Sequence, residues 1–207
     1  MRKPRLQMIK QVVLIDNGHG VETPGKRSPD GMFREFSWAR EMADMVVKAL
    51  TAEGLAAFLL VKEREDVSLS ERVNRVNAYC RRYGAANVLL VSIHNNAAGN
   101  GKAWLSARGW ECWTSVGQTK ADKLASIFYD KARFHLPRGT KIRTDRSDGD
   151  DDKESNFYIL KNTMCPAVLT ENFFQDNRED VAYLRSEEGK NAICKVHVEA
   201  IKQYLKI

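Results

Sequence analysis

The sequence predicts a single-domain α/β protein: a twisted, mostly parallel sheet with helices on both faces. Three observations predict it. Short β-branched apolar runs alternate with longer stretches in which apolar residues recur at helical spacing, the order that generates parallel strands joined by crossover helices. The runs are apolar throughout, as strands covered on both faces are. No internal repeat or linker divides the 207 residues, a length sufficient for one sizeable core. We place the domain at residues 12–207, after a basic extension over residues 1–11.

The elements follow in chain order. Val12 to Ile15 has the length and branching of a buried strand and runs into the turn sequence Asp16-Asn17-Gly18. After a loop rich in Pro and Gly (Glu22 to Gly31), Phe36, Ala39, Ala43, Val46, Val47 and Leu50 mark one helical face, which Gly54 ends. Leu55 to Val61 predicts a second strand. Ser68 and Glu71 are spaced as a capping box, predicting a helix over about Leu69 to Tyr83. Asn87 to Ile93 and Gly109 to Ser115 read as strands, and Thr119 with Asp122 opens a helix through Leu124, Ile127 and Phe128. The acidic loop Asp145 to Glu154 leads to strands at Phe157 to Leu160 and Ala167 to Thr170, and two helices, Arg178 to Leu184 and Glu187 to Tyr204, end the chain.

Composition narrows the function classes. Hydrophobic residues at 43% and charged residues at 29% exclude a disordered chain. The net charge of +6 favours anionic partners. No dense Lys/Arg run interleaved with aromatics occurs, so no nucleic-acid partner is expected. The basic start is followed by only Val12 to Ile15, short of the roughly 7 to 15 apolar residues of a signal peptide. No segment approaches the ~18 apolar residues of a membrane span. The expectation is cytoplasmic synthesis without stable membrane insertion. Cys80, Cys112, Cys165 and Cys194 are scattered with no Cys-x-x-Cys pair, so free thiols are expected rather than a zinc ribbon or redox motif.

In open parallel sheets functional groups gather beyond the carboxyl ends of strands. Three such ends are rich in them: Asp16-Asn17-Gly18-His19-Gly20, Ser92-Ile93-His94-Asn95-Asn96 and Leu169-Thr170-Glu171-Asn172. Glu35 stands at the start of the first long helix. Two histidines with a carboxylate suit Zn²⁺, and a further carboxylate beside them suits hydrolysis. Taken singly, each residue has a plainer reading. A histidine after a strand is commonly a hydrogen-bonded turn residue, and Glu35 alone would stabilise a helix amino terminus. Glu171, just beyond the apolar run Ala167-Val168-Leu169, needs a partner if buried. His135 and His197 read as structural or surface groups. Arg143, in the loop Gly139 to Glu154, has the fork geometry to grip a carboxylate, though a charge run more often faces water. Trp104, Trp110 and Trp113 read as core more readily than as a sugar platform.

Together these segments resemble the zinc-dependent N-acetylmuramoyl-L-alanine amidases of the Amidase_3 family. The resemblance rests on Asp16-Asn17-Gly18-His19-Gly20, Glu35, Ser92-Ile93-His94-Asn95-Asn96 and Pro166-Ala167-Val168-Leu169-Thr170-Glu171. Val67 to Arg72, Gly109-Trp110-Glu111, Asp122 to Ala125 and Phe157 to Leu160 support it, so that it spans about Val12 to Leu205. It implies that His19, Glu35 and His94 bind Zn²⁺ and that Glu171 is the catalytic glutamate. Asn96 and Arg143 are the candidate substrate contacts. The implied substrate is peptidoglycan, cut between N-acetylmuramic acid and L-alanine by an enzyme that resembles a phage or prophage endolysin and reaches the wall after release or export. Asn17 stands where the family usually has Pro and Val21 where a second Gly is common, which implies altered loop geometry rather than a lost metal. A zinc amidohydrolase or peptidase acting on soluble muropeptides and a catalytically silent wall-binding domain are the rival readings. Oligomeric state is not legible.

Overall fold

The computed structural model describes residues 11–207, so the basic extension, apart from Gln11, lies outside the described residues. Six strands form one sheet in the order β2-β1-β3-β6-β4-β5. They are β1 (Val12–Asn17), β2 (Ala56–Leu59), β3 (Val88–Asn96), β4 (Trp110–Thr114), β5 (Lys153–Glu154) and β6 (Ala167–Phe174). β2, β1, β3 and β6 run parallel, while β4 is antiparallel to β6 and parallel to β5. The predicted mostly parallel sheet is therefore present, with one reversal at the β6–β4 seam.

Six helices flank it: α1 (Glu35–Ala52), α2 (Leu69–Tyr83), α3 (Lys120–His135), α4 (Tyr158–Asn162), α5 (Arg178–Arg185) and α6 (Glu187–Leu205). Alternate side chains of each strand face opposite layers. Val13 and Ile15 join Val91, Ile93 and Val168 in a core completed by α1, α3, α5 and α6. Val12 and Leu14 join Leu90 and Leu169 against Val73 and Val76 of α2 and Ile159 and Leu160 of α4. Both faces being covered is why these strands read as unbroken apolar runs.

Local chemistry sets the helix starts. Ser68 Oγ accepts the Glu71 amide, Thr119 and Asp122 form a reciprocal capping box, and Asn177 and Ser186 cap α5 and α6. One predicted strand is corrected. Phe157 to Leu160 is not extended; Tyr158–Asn162 forms a short helix, because the consecutive residues Ile159 and Leu160 are both buried in one core, which a strand's alternation cannot achieve. β3 and β6 also run further than predicted, so His94 and Glu171 lie within strands rather than after them. β5 falls inside the segment expected to be wholly loop.

Candidate metal centre and active site

The site lies at the carboxyl ends of β1, β3 and β6. Gly18 and Gly20 let the chain turn there. A Cβ on Gly18 would fall 2.3 Å from the His94 imidazole, and one on Gly20 2.1 Å from the Asp66 amide nitrogen. His19 between them adopts a left-handed backbone, φ 62°, a conformation costly for a side chain bearing a Cβ. Arginines hold it there. Arg40 Nη1 donates to the His19 carbonyl at 2.9 Å. Arg72, buried, donates to Asp16 Oδ1 at 2.6 Å and to the Asn17 carbonyl at 2.7 Å. Asp16 also accepts from Ser92 Oγ at 2.6 Å, which locks β1 to β3.

Glu35, the first residue of α1, is fully buried. Its Oε1 lies 3.3 Å from His19 Nε2 and 3.1 Å from His94 Nδ1, and accepts the Asn95 amide at 3.0 Å. Gln175 Nε2 donates to its Oε2 at 3.2 Å. His19, Glu35 and His94 each offer one donor atom, and these atoms lie within 4.8 Å of one another. His19 Nε2 is buried without a hydrogen-bond partner. Two imidazole nitrogens and one carboxylate oxygen, one nitrogen unsatisfied, form a donor set that fits a zinc ion. Burial alone would raise the Glu35 carboxyl, but the His19 and His94 imidazoles set against it hold it well below the usual carboxylate range. Burial lowers His19, whereas His94, which burial would also lower, is raised by its hydrogen bond to Glu35 and by that charge.

Glu171 is His94's register partner on β6. Burial, with the nearby carboxylates of Glu35 and Glu111 adding to it, pushes the Glu171 carboxyl up to about 8 against the opposing charges of His94 and Lys26. Its Oε2 has no hydrogen-bond partner. Glu171, His19 and His94 line a cleft of about 540 Å³, walled on one side by Val67, Leu69, Phe157, Tyr158 and Ile159.

Sequence reasoning named the triad and Glu171, and the fold brings all four together. Asn96 and Arg143 meet elsewhere, on Glu111. Asn96 Nδ2 donates to Glu111 Oε1 at 2.7 Å and Arg143 Nε to Glu111 Oε2 at 2.6 Å. Glu111, buried and directly opposite Glu171 in the β4–β6 ladder, escaped notice as a site residue. Its sequence signals were a charge inside an apolar strand and its place in the supporting segment Gly109-Trp110-Glu111. Gln175, Arg40 and Lys26 were missed as well, since only the fold carries them to the site. Trp110 is fully buried, its Nε1 donating to Asn172 at 3.0 Å, and Trp104 lies under the Arg178 guanidinium, so neither is an open platform. The acidic loop is not uniformly solvated: Asp152 is buried against Thr114, and Asp151 pairs with Arg133 and Arg146. His135 pairs with Glu199 at the end of α3, and His197 is buried in α6.

The fold and this cluster define a class: an α/β protein with a His–Glu–His set able to hold a metal and a carboxylate beside it. The family follows from comparison with known proteins. The N-acetylmuramoyl-L-alanine amidase family, Amidase_3, matches residues 13–203, and the chain belongs to it. It is 27% identical over 201 residues to the endolysin of Bacillus phage SPP1, covering 96% of this chain and 68% of that protein. It is 27% identical over 197 residues to the sporulation-specific N-acetylmuramoyl-L-alanine amidase of Bacillus subtilis, covering 92% of this chain and 67% of that one. Among solved structures, an N-acetylmuramoyl-L-alanine amidase from Clostridium difficile 630 superposes with a TM-score of 0.77 at 24% identity, covering 96% of this chain and 98% of that one. The chain thus spans about two thirds of the length of these curated relatives. Among the described residues no helix is long and apolar enough to cross a membrane.

Proposed function

We propose that residues 12–207 form the catalytic domain of a zinc-dependent N-acetylmuramoyl-L-alanine amidase that hydrolyses the amide between N-acetylmuramic acid and L-alanine in peptidoglycan. The observation that carries the reading is the convergence of the His19–Glu35–His94 donor set and the unpartnered Glu171 carboxylate in one cleft. His19, Glu35 and His94 would hold the zinc, which would supply Lewis acidity toward the amide carbonyl and make a water acidic enough to ionise near neutral pH.

The protein's own groups do the rest. Gln175, the Asn95 amide and the His94 imidazole fix the Glu35 carboxylate from both oxygens. Glu171, whose Oε2 is free of other partners and which lines the cleft, accepts the proton of the attacking water and delivers it to the departing amine of L-alanine. The apolar wall excludes water from one flank of the cleft and receives the apolar parts of the stem peptide. Asn96 and Arg143 serve as polar contacts to that peptide, both oriented by Glu111. The net positive charge favours an anionic, carboxylate-rich wall, which the enzyme meets after release or export.

Hydrolysis of purified peptidoglycan tests the reading. The protein should expose free L-alanine amino termini, lose that activity to a chelator and regain it with added zinc. A silent wall-binding domain would bind the sacculus without exposing amino termini. Cleavage of soluble muropeptides alone would favour the amidohydrolase alternative.

A further inference from the structure

We propose that Lys26 is a further catalytic residue, whose ammonium stabilises the negative charge developing on the carbonyl oxygen of the scissile amide. The proposal rests on the amidase reading and extends it to the loop between β1 and α1.

That loop is built to hold Lys26 in place. Lys26 has φ 44° directly after Gly25 at φ 71°, a left-handed conformation that a residue with a Cβ adopts only where its surroundings impose it. The surroundings are visible. The Lys26 carbonyl accepts the Glu35 amide at 3.0 Å, Arg27 and Arg34 form a β-bridge, and Arg34 Nη2 donates to the Val21 carbonyl at 2.6 Å. The loop is thereby clamped to the first turn of α1, and the Lys26 ammonium comes to 4.0 Å from Glu35 Oε2. Lys26 lines the main cleft with His19, His94 and Glu171. It also lines a second depression, of about 260 Å³, bounded by Gly99, Asn100, Gln175 and Asp176. It therefore borders both hollows.

Among the described residues, Lys26 is also the available cation of the cleft. The other cation lining it, Arg72, is consumed by Asp16, Asp66 and the carbonyls of Asn17 and Val67. The Lys26 side chain is 40% exposed, and its Glu35 contact at 4.0 Å is longer than a hydrogen bond. Glu35 is in turn occupied by Gln175, Asn95 and His94. With Glu35 serving as a metal ligand, its charge is shared and the ammonium's three donors are left for the substrate. As the amide carbon passes from trigonal to tetrahedral, its oxygen gains charge. A cation held beside that oxygen then favours the transition state over the bound substrate. No proton leaves Lys26 in this role.

The test compares Lys26→Met and Lys26→Arg with the wild-type protein on a soluble muramoyl-L-alanine peptide. It follows kcat and KM, zinc content and the thermal midpoint. Lys26→Met should lower kcat about 10²-fold with KM within about threefold of wild type, retain one zinc per chain and unfold at the same temperature. Lys26→Arg should recover part of kcat. Affinity for the same peptide with a phosphinate in place of the scissile amide should fall in Lys26→Met by the same factor as kcat. A kcat within about threefold of wild type, a loss confined to KM, or a loss explained by departed zinc would each overturn the proposal while leaving the amidase reading intact. If the wild-type protein itself releases no L-alanine amino termini, the amidase reading falls and this proposal with it.

Discussion

At the scale of single residues, the site depends as much on what is absent at Gly18 as on what is present at His94. Gly18→Ala would drive a methyl into the His94 ring, which the bond to Glu35 prevents from moving freely. We predict a folded protein whose zinc affinity is reduced about 10- to 100-fold, the range for disturbed ligand orientation, measured by competition with a chromophoric chelator. Wild-type affinity would show that His94 is not held as described. The triad and Glu171 were legible because histidine and glutamate beside apolar runs are conspicuous against a composition that holds only four histidines. Glu111 and Lys26 were not, because their placement depends on strand register and on a left-handed loop residue. Lys26 leaves no mark in residue type or spacing, and the charge of Glu111 inside an apolar strand does not say which strand it faces. Asn96 and Arg143 were noticed, but the buried carboxylate that orients both was invisible until β4 was seen paired with β6.

At the scale of elements, β1, β3 and α2 are joined through one buried ion pair. Arg72 leaves α2 to reach Asp16 at the end of β1, and Asp16 takes a further hydrogen bond from Ser92 of β3. Removing one partner leaves the other charge buried, which typically costs 3–5 kcal/mol. Arg72→Met should therefore lose about that much stability in urea unfolding; a loss near that of a surface pair, about 0 to 1 kcal/mol, would contradict the burial described. A second link joins α6 to β6. His197 is fully buried, with Nε2 at 2.9 Å from Thr170 Oγ1 and Nδ1 at 2.8 Å from the Ile193 carbonyl. Burial lowers its pKa to about 4. The folded state then binds fewer protons than the unfolded chain between pH 4 and 6.5, so stability present above about pH 6.5 is lost as pH falls. We predict that His197 accounts for about 2 kcal/mol of the stability lost between pH 7 and pH 5, and that His197→Gln flattens that slope. An unchanged slope would mean that other groups set the acid sensitivity. Helices with capping residues were readable from the sequence to within a residue or two. The Phe157 to Leu160 segment was not, because a run of four apolar residues has no period of its own and its helical form is set by packing against α2.

At the scale of the whole molecule, one sheet with both faces covered brings residues from Gly18 to Gln175 to a single edge, and the reversal at β4 places Glu111 beside Glu171. The alternation of strands and helices made the parallel sheet legible. The antiparallel seam was not, since strand direction follows from connection geometry rather than from the strand's own residues. The proposed activity requires a division of labour in which His19, Glu35 and His94 would hold the metal and Glu171 would move the proton. Glu171→Gln separates the two, because the amide keeps the shape of the carboxylate and cannot accept a proton. Zinc per chain and the rate at which L-alanine amino termini appear should be measured on the same preparation. We predict one zinc per chain, as in the wild-type protein, with a rate lower by about 10²- to 10⁴-fold. A wild-type rate, or loss of the metal along with the activity, would contradict the division of roles proposed here.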